Sequence, residues 1–227
     1  MDGRKWDALL EMQVEQGWWH TGLAEAYIKI FKTHVPPPKK ILEMGLGEGP
    51  PENRMLKEAG YEVTGITIRP HEVVEGVTLM DMHDLRFPPN TFDAIYSTQT
   101  MEHGYAPYLV LLECWTVLRD GGTLFAVMPC PDEHLVETHP TMLTCLQWST
   151  LMSHAGFNVK YGQDVGFVVN CRCLWSDGSK SADMRHRERC LVIVAEKKPP
   201  ESTYTRTVLG KLKKIHEEYG CLNGSTS

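Results

Sequence analysis

No C-x-x-C pair occurs among the seven cysteines of this 227-residue chain. They are scattered, at Cys114, Cys130, Cys145, Cys171, Cys173, Cys190 and Cys221, and their number is odd. The set reads as reduced thiols of a cytoplasmic protein, not as a disulfide framework. Zinc-ligand spacing is absent, so no metal site is expected. No apolar run is long enough to cross a bilayer. The first residues carry Asp2, Arg4, Lys5 and Asp7 without an apolar segment, which predicts no secretory signal. A basic excess is also missing: 23 Lys and Arg stand against 29 Asp and Glu, for a net charge of −6. Duplex nucleic acid is therefore not expected as the main partner.

What is present is a globular composition, 42% hydrophobic and 23% charged, in a length that suits one domain with a sizeable core. Residues 1–35 read as a helical segment lying over a pocket as a lid. Trp19, Leu23, Tyr27 and Ile30 recur at helical spacing, Leu10 and Val14 suggest an earlier helical piece, and Gly17 and Gly22 predict a break between them. Pro36-Pro37-Pro38 opens the domain proper, 36–198. Strands are expected at Lys40–Met44, Tyr61–Ile68, Val77–Met80, Ala94–Tyr96, Thr123–Met128, Phe157–Trp175 and Cys190–Ala195. Between them lie helices over 51–59, from Pro70 to Gly76, over 108–118, and from Thr144, where Thr144 and Gln147 form a capping pattern. Residues 199–227 read as a tail. The order predicts a doubly wound, Rossmann-like α/β sheet of seven strands, mostly parallel, with an antiparallel strand near the C-terminal end. Ligands of such sheets bind outside the C-terminal strand ends.

The stretch Ile41-Leu42-Glu43-Met44-Gly45-Leu46-Gly47-Glu48-Gly49-Pro50-Pro51 organises this pattern. It reads as the end of a buried strand, a tight glycine turn and a helix N-terminus, a site for a polar or anionic group. The spacing is G-x-G-x-G, unlike the G-x-G-x-x-G of dinucleotide sites. A dinucleotide and S-adenosylmethionine both remain open on the loop alone. Glu43 favours the second, because that cofactor carries a cationic α-amino group.

Later landmarks extend the case. Asp81-Met82-His83-Asp84-Leu85-Arg86-Phe87-Pro88 ends the third strand, Phe92-Asp93 starts the fourth, Met101-Glu102-His103 follows it, and Leu118-Arg119-Asp120-Gly121-Gly122 precedes the fifth. With the glycine stretch and the segment His139-Pro140 through Ala155-Gly156-Phe157, the chain resembles the class I S-adenosylmethionine-dependent methyltransferase family over roughly residues 38 to 196. The resemblance implies that the backbone of Gly45 and Gly47 lies along the methionine part of the cofactor, with Glu43 nearby. It implies that Asp81 accepts from the adenine amino group, that the Met82 N–H meets the ring, and that the backbone near Ser97 faces the methionine amino group. The family usually has an acidic residue at the end of the second strand to hold the ribose. Here Thr67 stands in its place, and a threonine offers a single hydroxyl.

Methyl transfer needs a positioned acceptor, and a base only where the acceptor must lose a proton. His103 is the first candidate for that base, with Glu102, His134, His139 and His20 as others. Trp18, Trp19, Tyr105 and Trp148 could wall a small ring or sugar. No Asn/Asp-Pro-Pro-Tyr/Phe motif follows the fourth strand, where Ser97-Thr98-Gln99-Thr100 stands. The expected acceptor is a small-molecule hydroxyl, on a sugar, nucleotide or lipid precursor. The alternatives are a cofactor-binding module without turnover and a nicotinamide-linked oxidoreductase. The sequence does not give the oligomeric state.

Overall fold

The structure, a computed structural model, describes residues 9–14, 19–46, 51–68, 76–131, 138–171 and 184–199. Its strands are Leu9–Val14 (β1), Lys40–Met44 (β2), Glu62–Thr67 (β3), Val77–Leu79 (β4), Phe92–Thr98 (β5), Leu118–Pro129 (β6), Phe157–Cys171 (β7) and Met184–Lys197 (β8). Its helices are Trp19–His34 (α1), Pro51–Glu58 (α2), Pro107–Val117 (α3) and Cys145–His154 (α4), with a 3₁₀ turn at Met101–His103. The strands form one sheet in the order β1-β7-β8-β6-β5-β2-β3-β4. All neighbours are parallel except those of β8, which runs against both β6 and β7. All seven expected strands are present, and β1 adds an eighth at the edge.

Alternation along the strands splits the core in two. Ile41, Ala94, Tyr96, Phe125 and Val127 point to the face covered by α1 and α2. Leu42, Met44, Ile95, Leu124 and Ala126 point to the face covered by α3 and α4. Both faces are thus dry, which a mostly parallel sheet requires. Phe31 of α1 anchors the first face, with its ring centroid 5.1 Å from that of Tyr96 and 5.4 Å from that of Phe125. The Thr144–Gln147 capping box is formed and starts α4.

Two expectations about the N-terminus are corrected. Leu9–Val14 is a strand, paired with Gly166–Cys171 of β7, and not a helical piece. The long β7 otherwise leaves a row of unpaired backbone groups there, and satisfying that edge outweighs the helical spacing of Leu10 and Val14. Helix α1 runs through Gly22 without the expected break. From Leu23 onward it is a layer of the core, with Leu23, Tyr27 and Phe31 buried, so this part of the segment is no free lid. The expected helix between Pro70 and Gly76 and the tail beyond Pro199 lie outside the described residues.

At the N-terminal end of the parallel strands, β8 closes on a buried lysine. The Lys197 side chain is 3% exposed. Its ammonium donates to the Leu118 carbonyl at 2.7 Å and to Asn90 Oδ1 at 2.8 Å, lies 3.3 Å from Asp120, and sits 4.1 Å over the Trp115 ring. Burial pulls its pKa down, while the bond and charge of Asp120 oppose that shift. Replacing Lys197 by Met leaves those acceptors unsatisfied. It should cost about 1–3 kcal/mol in urea unfolding and leave binding at the opposite end of the sheet unchanged.

Candidate functional site

The sheet changes direction between β2 and β5. From β2 the chain winds outward through β3 and β4, and from β5 it winds the other way through β6. Met44 and Ser97 are register partners across this junction, at the C-terminal ends of their strands. Gly45 turns the chain there with φ +81°, and its N–H donates to the Ile66 carbonyl at 3.1 Å. A Cβ at Gly45 would lie 2.0 Å from Thr100 Oγ1. The Thr100 hydroxyl is itself held, 2.8 Å from the Thr98 carbonyl and 3.1 Å from that of Met44. The turn therefore requires glycine twice over, for its backbone angle and for the threonine packed on it. Ser97 Oγ is buried at this junction and has no hydrogen-bond partner among the described residues. A buried hydroxyl without a partner is uncommon.

The carboxylates of the site lie on the α2 side of the junction. Glu43 is 2% exposed and accepts from Asn53 Nδ2 of α2 at 2.5 Å. Burial pushes its pKa up to about 8, against the lowering effect of the Asn53 bond. Glu52, in the first turn of α2, accepts from the Tyr96 and Thr98 hydroxyls at 3.1 Å each, and burial pushes it up to about 7. Its sequence position points only to the helix dipole, whereas the structure ties it to two side chains of β5. An ammonium brought near Glu43 would favour its ionised form and lower that pKa.

At the ends of β3 and β4, Thr67 is half-buried and its carbonyl accepts from the Met80 N–H at 3.0 Å. Ile68 and Leu79 are 67% and 65% exposed, large apolar side chains on the surface. With Met80, Asp81 and Arg86 they line a cleft of about 230 Å³. Neither Ile68 nor Leu79 stands out in the sequence, because each continues the pattern of a buried strand. Asp81 Oδ1 accepts from the His83 backbone N–H at 2.8 Å and lies 2.6 Å from His83 Nδ1. Burial alone would raise its pKa, but the two His83 bonds hold it below the usual range. His83 Nε2 accepts from the Ala106 N–H at 3.4 Å, so the ring bridges this loop to the start of α3. Met82 packs half-buried against the α3 core.

Beyond β5, the 3₁₀ turn holds Glu102 buried and His103 exposed. His103 Nδ1 lies 2.7 Å from the Thr138 carbonyl, which can only accept, so Nδ1 donates and Nε2 is the nitrogen left outside this bond. The His139 ring stands edge-on to that of His103, with centroids 4.7 Å apart. Tyr105 is 85% exposed, whereas Trp148 is a core side chain of α4 and does not wall a pocket. Its helical neighbours Leu151 and Met152 pack in the same cluster. Trp18, Gly47 and His134 lie outside the described residues, as do the side chains of Trp19 and His20.

Residues 42–126 match a protein-family model described as a methyltransferase domain. The chain is 30% identical over 101 residues to a 2-methyl-6-phytyl-1,4-hydroquinone methyltransferase from Synechocystis sp., covering 40% of this chain and 32% of that protein. It is 30% identical over 102 residues to a sterol 24-C-methyltransferase from Gibberella zeae, covering 39% and 27%. The chain thus spans about a third of the length of the curated relatives it matches. In fold it is similar to a Burkholderia thailandensis 1,6-didemethyltoxoflavin-N1-methyltransferase solved with its substrate and S-adenosylhomocysteine. That likeness has a TM-score of 0.59 at 16% identity and covers 80% of this chain and 81% of the other. These matches support S-adenosylmethionine as the cofactor.

Two outcomes check this geometry. Gly45→Ala should lower the melting temperature by several degrees and weaken S-adenosylhomocysteine binding in calorimetry, and adding Thr100→Ala should recover part of both. The second concerns Glu43, whose folded pKa lies above its ordinary value of 4.5. The folded state therefore holds a proton that the unfolded chain gives up. Its stabilising effect is complete below about pH 4.5 and is lost as pH rises through about 8. In melting curves from pH 5 to 8, Glu43→Gln should gain on the unmodified chain as pH rises. Two parallel curves would count against the buried, protonated Glu43.

Proposed function

Because the chain carries a class I S-adenosylmethionine-dependent methyltransferase domain, we propose that it methylates a small-molecule acceptor, at a hydroxyl of a lipid precursor, sugar or nucleotide. The single observation that carries this reading is the junction itself. Gly45 turns tightly under Thr100 beside a buried Ser97 hydroxyl that lacks a partner in the described residues. Such a place takes the polar end of a ligand whose other end reaches the cleft at Ile68, Leu79 and Asp81. S-adenosylmethionine supplies an activated sulfonium methyl when bound.

The residues that would hold the cofactor are Glu43, Gly45, Gly47 and Ser97 toward its amino-acid end, with Thr67, Asp81 and Met82 toward its nucleoside. Ile68 and Leu79 offer apolar area to a flat base, and Asp81 beside them offers an acceptor for its amino group. Thr67 gives the ribose one hydroxyl where relatives of this kind use a carboxylate, so that end depends more on neighbouring backbone groups.

The acceptor belongs on the side of the 3₁₀ turn. His103 is oriented by its Nδ1 bond to Thr138, which leaves Nε2 as the nitrogen that would face an acceptor. Tyr105 stands exposed beside it, and Trp18, Trp19, His20 and His134 complete the proposed acceptor wall. Among the three acceptor classes, the hydroquinone and sterol enzymes to which the chain is similar favour a lipid precursor; the sterol enzyme methylates carbon 24, so this support is for the molecule and not for the hydroxyl.

The test is calorimetry with S-adenosylhomocysteine and NAD⁺, followed by product analysis after incubation with S-adenosylmethionine and a panel of prenylated hydroquinones, sterols and sugar nucleotides. The expected result is binding of S-adenosylhomocysteine alone, weakened about tenfold by Ser97→Ala through loss of one hydrogen bond, and methylation of a lipid member of the panel. Tight NAD⁺ binding with no response to S-adenosylhomocysteine would overturn the reading. Binding without product from any acceptor would make the chain a cofactor-binding module.

A further inference from the structure

Glu102, His103 and His139 meet at the end of the sheet where the acceptor is placed, although helix α3, strand β6 and a loop separate the second histidine from the first two in the sequence. One carboxylate oxygen and one ring nitrogen from each imidazole all lie within 4.8 Å of one another. We infer that Glu102, His103 and His139 form a binding site for a divalent transition-metal ion of the zinc class.

The donor set is the first support. Two imidazoles and a carboxylate are the ligand types of open zinc sites and of mononuclear iron sites, which keep positions free for water or substrate. Metal–ligand bonds of about 2.1 Å hold ligand atoms no more than about 4.2 Å apart. Tetrahedral ligands at that bond length lie about 3.4 Å apart, so the cluster, with its donor atoms within 4.8 Å of one another, must contract to close onto an ion.

The second support is how the imidazole is held. A metal-bound histidine needs one nitrogen free of protons and normally anchors the other N–H on a carbonyl or carboxylate. His103 has that arrangement, because its Nδ1–H donates to the Thr138 carbonyl at 2.7 Å. The backbone thus occupies Nδ1 and leaves Nε2 as the nitrogen an ion would take.

The third support is the bracing of the segment that brings His139. The Thr141 N–H donates to the Glu102 carbonyl at 3.1 Å, and the Thr141 hydroxyl donates to the Gly104 carbonyl. These bonds, with Thr138 on His103, tie the residues on both sides of His139 to the turn that carries the other two ligands. Glu102 is 1% exposed, so folding has already stripped it of most of its water, whereas His103 and His139 are reached from solvent. The cluster is therefore anchored on its inner side and open on its outer side, as an ion-entry site must be.

Three protein ligands leave at least one coordination position for an oxygen. On the methyltransferase reading, on which this role rests, an ion there would hold the acceptor oxygen and lower its pKa, work that otherwise falls to His103 as a base.

The test uses the full chain, stripped of metal with a chelator that is then removed. Cobalt(II) is titrated in and followed by visible absorption, and zinc(II) is titrated by calorimetry. The same preparations are assayed for S-adenosylhomocysteine binding and for cooperative melting. One equivalent of metal is expected, with the weak visible bands of cobalt bound by nitrogen and oxygen. Glu102→Gln and His139→Ala should each weaken binding by at least tenfold while melting and S-adenosylhomocysteine affinity hold. His139→Asn serves if the alanine variant melts without cooperativity. Absence of saturable binding overturns the site. So does unchanged affinity in the folded variants, or strong near-ultraviolet charge-transfer bands, which would place the cobalt on cysteine thiolates. Because metal binding and S-adenosylhomocysteine binding are read separately, failure of the metal site is distinguishable from failure of the methyltransferase reading.

Discussion

The contact of Thr100 with Gly45 is the constraint on which the rest of the site depends. Two strands that lead the chain in opposite directions end side by side, and both must turn away without blocking the space between them. The β2 end does so by a glycine at φ +81°. The β5 end does so by Gln99 at φ +48°, followed by a threonine that bonds back to both strand ends. The threonine occupies the volume that any side chain at Gly45 would need. The two turns therefore fix one another, and the helices and loops that follow start from directions set at this point. Placing a ligand at such a junction suits the architecture, because it is where adjacent connections diverge to opposite faces of the sheet.

Burial then divides the chemistry between the faces. On the α2 face, Glu43 and Glu52 sit inside the protein with neutral donors, Asn53, Tyr96 and Thr98, in place of cations. That arrangement raises their proton affinity and leaves them poised to respond to a positive charge. On the α3 face, Leu42, Met44 and Ile95 are buried in the core, and the 3₁₀ turn past the strand end carries Glu102 and His103. A cationic amino-acid group and an oxygen acceptor are the two chemistries these faces suit.

Much of this was legible in the sequence. The seven strands of the main sheet, the capping box of α4 and the strand-end positions of Glu43, Gly45, Asp81 and Ser97 all follow from local signals: apolar runs, glycines and the residues that punctuate them. The signals that failed were those in which a distant partner outvotes local spacing. Leu10 and Val14 are spaced for a helix but answer the open edge of β7. Gly22 weakens a helix locally, yet α1 is held by the apolar contacts of Leu23, Tyr27 and Phe31 with the sheet. Trp148 has the size of a pocket wall and lies in the core.

By itself, the sequence determined the order of the elements from Lys40 to Thr67 and from Phe92 to Lys197, and the sheet class. It did so because periodicity and turn chemistry act over a few residues and survive without knowledge of neighbours. Only the tertiary structure decided which side chains meet. Thr100 on Gly45, Tyr96 and Thr98 on Glu52, Ile68 beside Leu79, and His139 beside Glu102 and His103 are pairings between segments far apart in the chain. No spacing rule encodes them, because they arise when burial of the two apolar faces brings those segments together and leaves each polar group to find its partner in what folding has placed nearby.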